Sequence, residues 1–289
     1  MARLSRTESA SNGRHLSAVA VMLATLGCAP AGSQTDASLL VGFERTLEVP
    51  GSTFGRIGYL QAGDPGATRL ILVHGTPGSA SGWAAYLHDP PPGLDVIAID
   101  RPGFGRSGPD GPVVPLAEQA RAVAALLPTD GRRAVLLGHS LGGPIVAWVA
   151  AEHPERVASV ILLAASLDPA QEKIHPMQHV GNWPFVRPML PRALRNANAE
   201  LMGLEPELRR LETMLAAVSA PAYIVHGTKD DLVPVANVPF MQARLTGSVC
   251  VQTRLLDGLN HFLPWNSAPI VRETIALAAA PRCPSTGPR

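Results

Sequence analysis

Five short apolar runs, at residues 69–73, 95–99, 134–137, 157–165 and 222–225, are built almost entirely of Val, Ile, Leu and Ala and leave no polar face. A strand that is half exposed alternates apolar and polar residues, whereas a strand apolar along its length is buried on both sides. Helical stretches separate these runs, at 79–88, 116–127, 141–153, 238–245 and 268–279. Strand–helix alternation of this kind implies right-handed crossovers. It gives an α/β fold with a mostly parallel, doubly wound sheet and helices on both faces. Residues 43–49 and 56–62 read as an early hairpin, and 249–256 as the last strand. Sheets of this type bind ligands beyond the carboxyl ends of their strands. The residues that follow each apolar run are therefore the candidates for chemistry.

Hydrophobic residues make up 46% of the chain, enough for a sizeable core and too many for a disordered chain. Lys+Arg number 24 against 23 Asp+Glu, so no basic excess points to nucleic acid. The 27 glycines and 28 prolines are scattered without a period, which predicts many turns and excludes collagen-like architecture. One interval, 167–221, breaks the alternation. It has no clear strand, carries Met177, Trp183, Phe185 and Met189, and reads as helix over 205–218. It is too long for an ordinary loop. We read it as a small helical cap over the strand ends, with 43–166 and 222–281 forming the core.

Gly138-His139-Ser140-Leu141-Gly142-Gly143 follows the run Ala-Val-Leu-Leu and opens a helix. That is the strand–turn–helix context in which a G-x-S-x-G turn lifts a serine hydroxyl to an exposed point. The helix N-terminus beneath it favours developing negative charge. A serine needs a base to become a nucleophile. His261 lies past the last strand, and Asp230 lies in the Gly-Thr-Lys-Asp-Asp stretch after the strand before it. The order Ser140, Asp230, His261 resembles the α/β-hydrolase superfamily, from about residue 43 to 280. That family's Gly-x-x-Asp-x-x-x-Pro stretch maps onto Gly227, Asp230 and Pro234, which selects Asp230 over Asp231. Asp168 is a second candidate, because some relatives carry the acid one strand earlier. His74-Gly75-Thr76 resembles the family's oxyanion loop, which implies the backbone N–H groups of Thr76 and Leu141 as oxyanion donors and makes the Thr76 side chain dispensable. Asp100 in the Asp-Arg-Pro-Gly-Phe-Gly stretch is expected to be structural.

The resemblance implies a serine hydrolase, working through an acyl-enzyme on small-molecule carboxylic esters with no cofactor. The same three residues serve lactonases, C–C bond hydrolases, peptidases, thioesterases and cofactor-free perhydrolases, and a non-catalytic surface binding protein is a further alternative. His175 and His179 have the spacing of a helical metal pair, but Pro176 intervenes and no carboxylate ligand is nearby, so no metal site is expected.

The first residues read as an address. Arg3, Arg6 and Arg14 precede an apolar stretch at 16–26, too short to span a bilayer as a helix. Leu26-Gly27-Cys28 resembles a bacterial lipoprotein signal, which implies a leader at 1–27, lipidation of Cys28 and a membrane-anchored, exported protein of the outer membrane or periplasm. Ordinary cleavage after 29–31 and an uncleaved N-terminus are the alternatives. Residues 28–42 would then be a tether and 282–289 a tail. In an oxidising compartment Cys250 and Cys283 could pair or remain separate thiols.

Overall fold

The computed structural model describes residues 37–280. The leader, Cys28, Cys283 and the tail lie outside them. Eight strands form one sheet: β1 (Glu44–Glu48), β2 (Arg56–Gly63), β3 (Thr68–Val73), β4 (Leu94–Ile99), β5 (Ala134–His139), β6 (Val157–Leu163), β7 (Ala222–Gly227) and β8 (Val251–Leu256), in the order β1-β2-β4-β3-β5-β6-β7-β8. β1 and β2 make the expected antiparallel hairpin, and β2 also runs antiparallel to β4. Every pairing from β4 to β8 is parallel. Every residue of β4, β5 and β7 is buried, as strands covered on both faces require.

The helices are α1 (Ala84–His88), α2 (Leu116–Ala124), α3 (Gly142–Glu152), α4 (Pro176–Gly181), α5 (Arg192–Glu212), α6 (Asn237–Arg244), α7 (Leu263–Asn266) and α8 (Ala268–Ala279). One core joins a face of the sheet to α2, α3 and α6, and the other packs the opposite face on α1 and α8. The mostly parallel, doubly wound sheet expected from the apolar runs is thus present. Two elements at the N-terminal side of the sheet differ from expectation. Residues 79–88 split into a 3-10 turn, Ala80–Trp83, and the short α1. Residues 37–43, mostly expected as tether, form a 3-10 helix that buries Leu40 in the core with α1.

The chain leaves the sheet after β6 and returns at β7, and helices and turns fill the interval. Its main element, α5, begins at Arg192 rather than near residue 205 and runs through Pro206. A proline inside a helix removes one backbone hydrogen bond. The stripe of Leu194, Ala197, Leu204, Leu208 and Leu211 continues across it and is buried, so packing outweighs that loss.

β4 lies on one side of β3 and β5 on the other, so the strand order reverses at β3. Loops leaving β3 and β5 diverge there and open a crevice at their carboxyl ends. That crevice holds the residues described next.

Candidate active site

Ser140 stands between β5 and α3 with φ of +54°, a left-handed conformation that costs a side-chain-bearing residue of order 1–3 kcal/mol. Surrounding backbone holds it there. Ser140 N–H donates to Leu163 O at 3.0 Å, and its carbonyl accepts from Gly143 N–H at 2.9 Å. The turn is too tight for side chains on its glycines. A Cβ on Gly138 would lie 2.2 Å from Gly142 O, and one on Gly142 would lie 2.3 Å from Val73 O.

The other two residues arrive from neighbouring strands. Asp230 follows β7, and His261 follows β8. Nδ1 of His261 lies 2.7 Å from Oδ2 of Asp230, and both side chains are buried. The second carboxylate oxygen accepts the backbone N–H groups of Leu232 (3.0 Å) and Val233 (2.8 Å). Burial pushes the Asp230 carboxyl up, but the His261 hydrogen bond and charge, with the Val233 N–H, outweigh it and hold the group below its ordinary value. An ionised carboxylate only accepts, so Nδ1 carries a proton, and in the neutral form of the ring the lone pair is then on Nε2. His226 braces the turn, with Nε2 donating to Val233 O at 2.9 Å. His139 supports His261 from below: its Nε2 lies 3.0 Å from His261 O, and the ring centroids are 4.7 Å apart.

Ser140 and His261 open onto one cavity of about 710 Å3. Among the described residues no hydrogen bond joins them; such bonds commonly tighten only around a substrate. His74, Gly75 and Thr76 form the adjacent wall, so close that a Cβ on Gly75 would lie 2.7 Å from the Ser140 Cβ. The backbone N–H groups of Thr76 and Leu141 have no hydrogen-bond acceptor among the described residues. Ile174, Leu201 and Leu204 from the helical interval contribute apolar wall opposite, beside Trp265 from the core.

The alternative candidates lie elsewhere or do other work. Asp231 is exposed at the cavity wall. Asp168 caps the turn Pro169–Gln171 by accepting from Ala170 N–H. His175 caps α4 and accepts from Met177 N–H, so it does not face His179 as a helical pair. Among the described residues no group of three or more His, Cys, Asp or Glu side chains is placed to hold a metal. Asp100 accepts from the backbone N–H groups of Ala80 and Arg106, the structural work expected of it.

Residues 68–187 match a family profile whose description is alpha/beta hydrolase fold. Together with the strand order and the turn at Ser140, that match decides the fold. This chain has the α/β-hydrolase fold. Solved hydrolase-fold structures superpose over most of the molecule: a membrane phospholipase A, at 23% identity and a TM-score of 0.63, covers 90% of this chain and 96% of its own. The pimeloyl-(acyl-carrier protein) methyl ester esterase of Edwardsiella ictaluri is 28% identical over 235 residues, 68% of this chain and 87% of that one. The dihydrolipoyllysine-residue acetyltransferase component of the acetoin cleaving system of Cupriavidus necator is 34% identical over 110 residues. That match spans 38% of this chain and only 29% of the Cupriavidus protein.

Sequence reasoning missed one buried group of this hydrolase fold. Glu200, on α5, accepts Arg101 Nη1 at 2.7 Å, Arg101 Nη2 at 3.0 Å, Gln119 Nε2 at 2.8 Å and the Thr76 hydroxyl at 2.6 Å. The Thr76 side chain thus has a partner that the sequence did not reveal: its hydroxyl ties the loop after β3 to α5. The signal was an acid within the apolar stripe of α5, three residues from Ala197 and four from Leu204.

Proposed function

We propose that the protein is a serine hydrolase that cleaves carboxylic esters through an acyl-enzyme. The observation that carries this reading is the Asp230–His261 hydrogen bond, with Nε2 of the imidazole free to accept a proton and sharing a cavity with Ser140. His261 Nε2 takes the hydroxyl proton as Ser140 Oγ bonds to the ester carbonyl carbon. The carbonyl oxygen becomes an oxyanion held by the N–H groups of Thr76 and Leu141. The carbon–alkoxide bond then breaks, and the alcohol leaves with the proton from His261. Water repeats the sequence on the acyl-enzyme and releases the acid. Asp230 fixes the imidazole tautomer and balances the imidazolium charge. The esterase name of the Edwardsiella relative supports the ester class, and the apolar cap wall suits an acyl or alcohol chain.

A fluorophosphonate probe tests the reading. The wild type labels at one serine, and Ser140→Ala abolishes labelling and hydrolysis of p-nitrophenyl esters of graded chain length. Undiminished labelling in that variant, or a folded wild type inert to probe and esters alike, overturns it.

We further propose export and anchoring through a lipidated Cys28. Cys250 is disulfide-bonded, which suits an oxidising compartment. Cys28→Ser is expected to move the protein from the membrane pellet to the soluble fraction of a cell-envelope preparation. Equal partitioning of both forms contradicts the anchor.

A further inference from the structure

We propose that Arg101 and Glu200 are positioning residues for the peptide group between Gly75 and Thr76, so that the cap helix α5 sets the strength and aim of the oxyanion donor. This rests on the reading of the Thr76 N–H as that donor. The carbonyl of the same peptide is gripped twice. Gly75 O accepts Arg101 Nη2 at 3.0 Å and lies 2.7 Å from His74 Nδ1. His74 Nε2 accepts the backbone N–H of Arg101 at 3.1 Å, so the proton of the neutral ring sits on Nδ1 and is donated to Gly75 O. Burial, and then the Arg101 charge, push the His74 pKa well down, which keeps that tautomer neutral.

Both acceptor positions of the carbonyl are thus filled, one by a cation. Its N–H end, on Thr76, has no acceptor among the described residues and belongs to the cavity wall. Two consequences follow. The peptide plane cannot rotate without breaking both bonds. Donors on a carbonyl also polarise the amide and strengthen its N–H as a donor, because hydrogen bonds in series reinforce one another where the surroundings are dry.

Arg101 can do this only if its own charge is held. Its side chain is fully buried, and Glu200 supplies the counter-charge in a two-pronged pair that also accepts the Thr76 hydroxyl. The guanidinium lies over the Phe104 ring at 4.7 Å, which fixes its remaining face. Glu200 therefore grips the oxyanion loop at Thr76 directly and at Gly75 through Arg101.

The test compares Arg101→Leu/Glu200→Leu and Arg101→Lys with the wild type on a soluble p-nitrophenyl ester and on a trifluoromethyl ketone. The ketone forms a reversible hemiketal with Ser140 Oγ, and its carbonyl oxygen becomes an oxyanion. The double variant removes both charges, so no buried charge is left alone. Arg101→Lys keeps the pair but has a single ammonium that cannot reproduce the forked contacts. We expect kcat to fall about 30-fold in each, somewhat less than the loss from deleting an oxyanion donor outright. KM should change less than threefold, and ketone affinity should fall in parallel with kcat. Wild-type kcat in a folded double variant, a change confined to KM, or unchanged ketone affinity overturns the proposal. If the double variant does not fold, Arg101→Lys decides alone by the same three readouts. Loss of the underlying reading is separately visible, since Ser140→Ala would then remain active.

Discussion

Asp230→Asn should reduce kcat by about 10^4-fold while leaving the fold intact. The hydrogen-bond pattern dictates which way the amide turns. Two backbone N–H groups, from Leu232 and Val233, require an acceptor at Oδ1. The asparagine oxygen must take that place, which turns its NH2 toward Nδ1 of His261. Nδ1 must then accept, the ring proton moves to Nε2, and the imidazole can no longer take the Ser140 proton. The two backbone bonds survive, so the melting temperature should move by only a few degrees. Asp231→Asn, at an exposed neighbour, should leave turnover within twofold. Steady-state kinetics on a soluble ester checks both, and turnover within tenfold of wild type in Asp230→Asn would remove Asp230 from its role.

The second large effect is acid lability. His74, His139 and His226 are all buried. Burial is the leading cause of a lowered pKa in each, aided by Arg101 at His74 and by His261 at His139, which is pushed down to about 3. In the unfolded chain each titrates near the ordinary value of about 6.5. Below that pH the unfolded state binds protons that the folded state refuses. Stability from these groups is therefore complete above about pH 6.5 and falls as the pH drops toward the folded values. A histidine whose folded pKa lies far below the range contributes a slope of about 1.4 kcal/mol per pH unit. His74 and His139 together give about 3 kcal/mol per unit, and the lowered pKa of His226 adds in the same direction, against a total stability of roughly 5–15 kcal/mol for a typical domain. The depressed pKa of Asp230 acts in the same direction at lower pH. Unfolding by denaturant between pH 7.5 and 5 should show a slope of about two protons in the lower part of that range, from His74 and His139, with a further contribution from His226 in the same direction. A slope below one proton would contradict the neutral burial of these rings.

The core was legible because parallel strands buried on both faces leave unbroken apolar runs. Strand β4, expected at 95–99 and found at Leu94–Ile99, shows how closely such a run marks its strand. Ser140 was legible because its turn admits only glycine at flanking positions, a constraint written locally. Asp230 and His261 were legible through chain order after β7 and β8. The cap was less so. Its main helix crosses Pro206, and Pro184, Pro188 and Pro191 crowd its approach, so local signals put the start too late. Glu200 left almost no trace. Its partners Thr76, Arg101 and Gln119 stand far away in the chain, and a glutamate on a helix ordinarily faces water. Contacts made by tertiary packing alone are what a single sequence conceals.

The Arg101–Glu200 pair also limits how this scaffold can be re-engineered. Chimeras that graft a foreign lid between β6 and β7 offer an obvious route to new selectivity, since the serine, imidazole and carboxylate all stay with the recipient. Any graft without an acid in register with residue 200 would strand a guanidinium in a dry interior, a defect worth roughly 3–5 kcal/mol. Successful swaps must either carry that acid across or neutralise position 101 together with it.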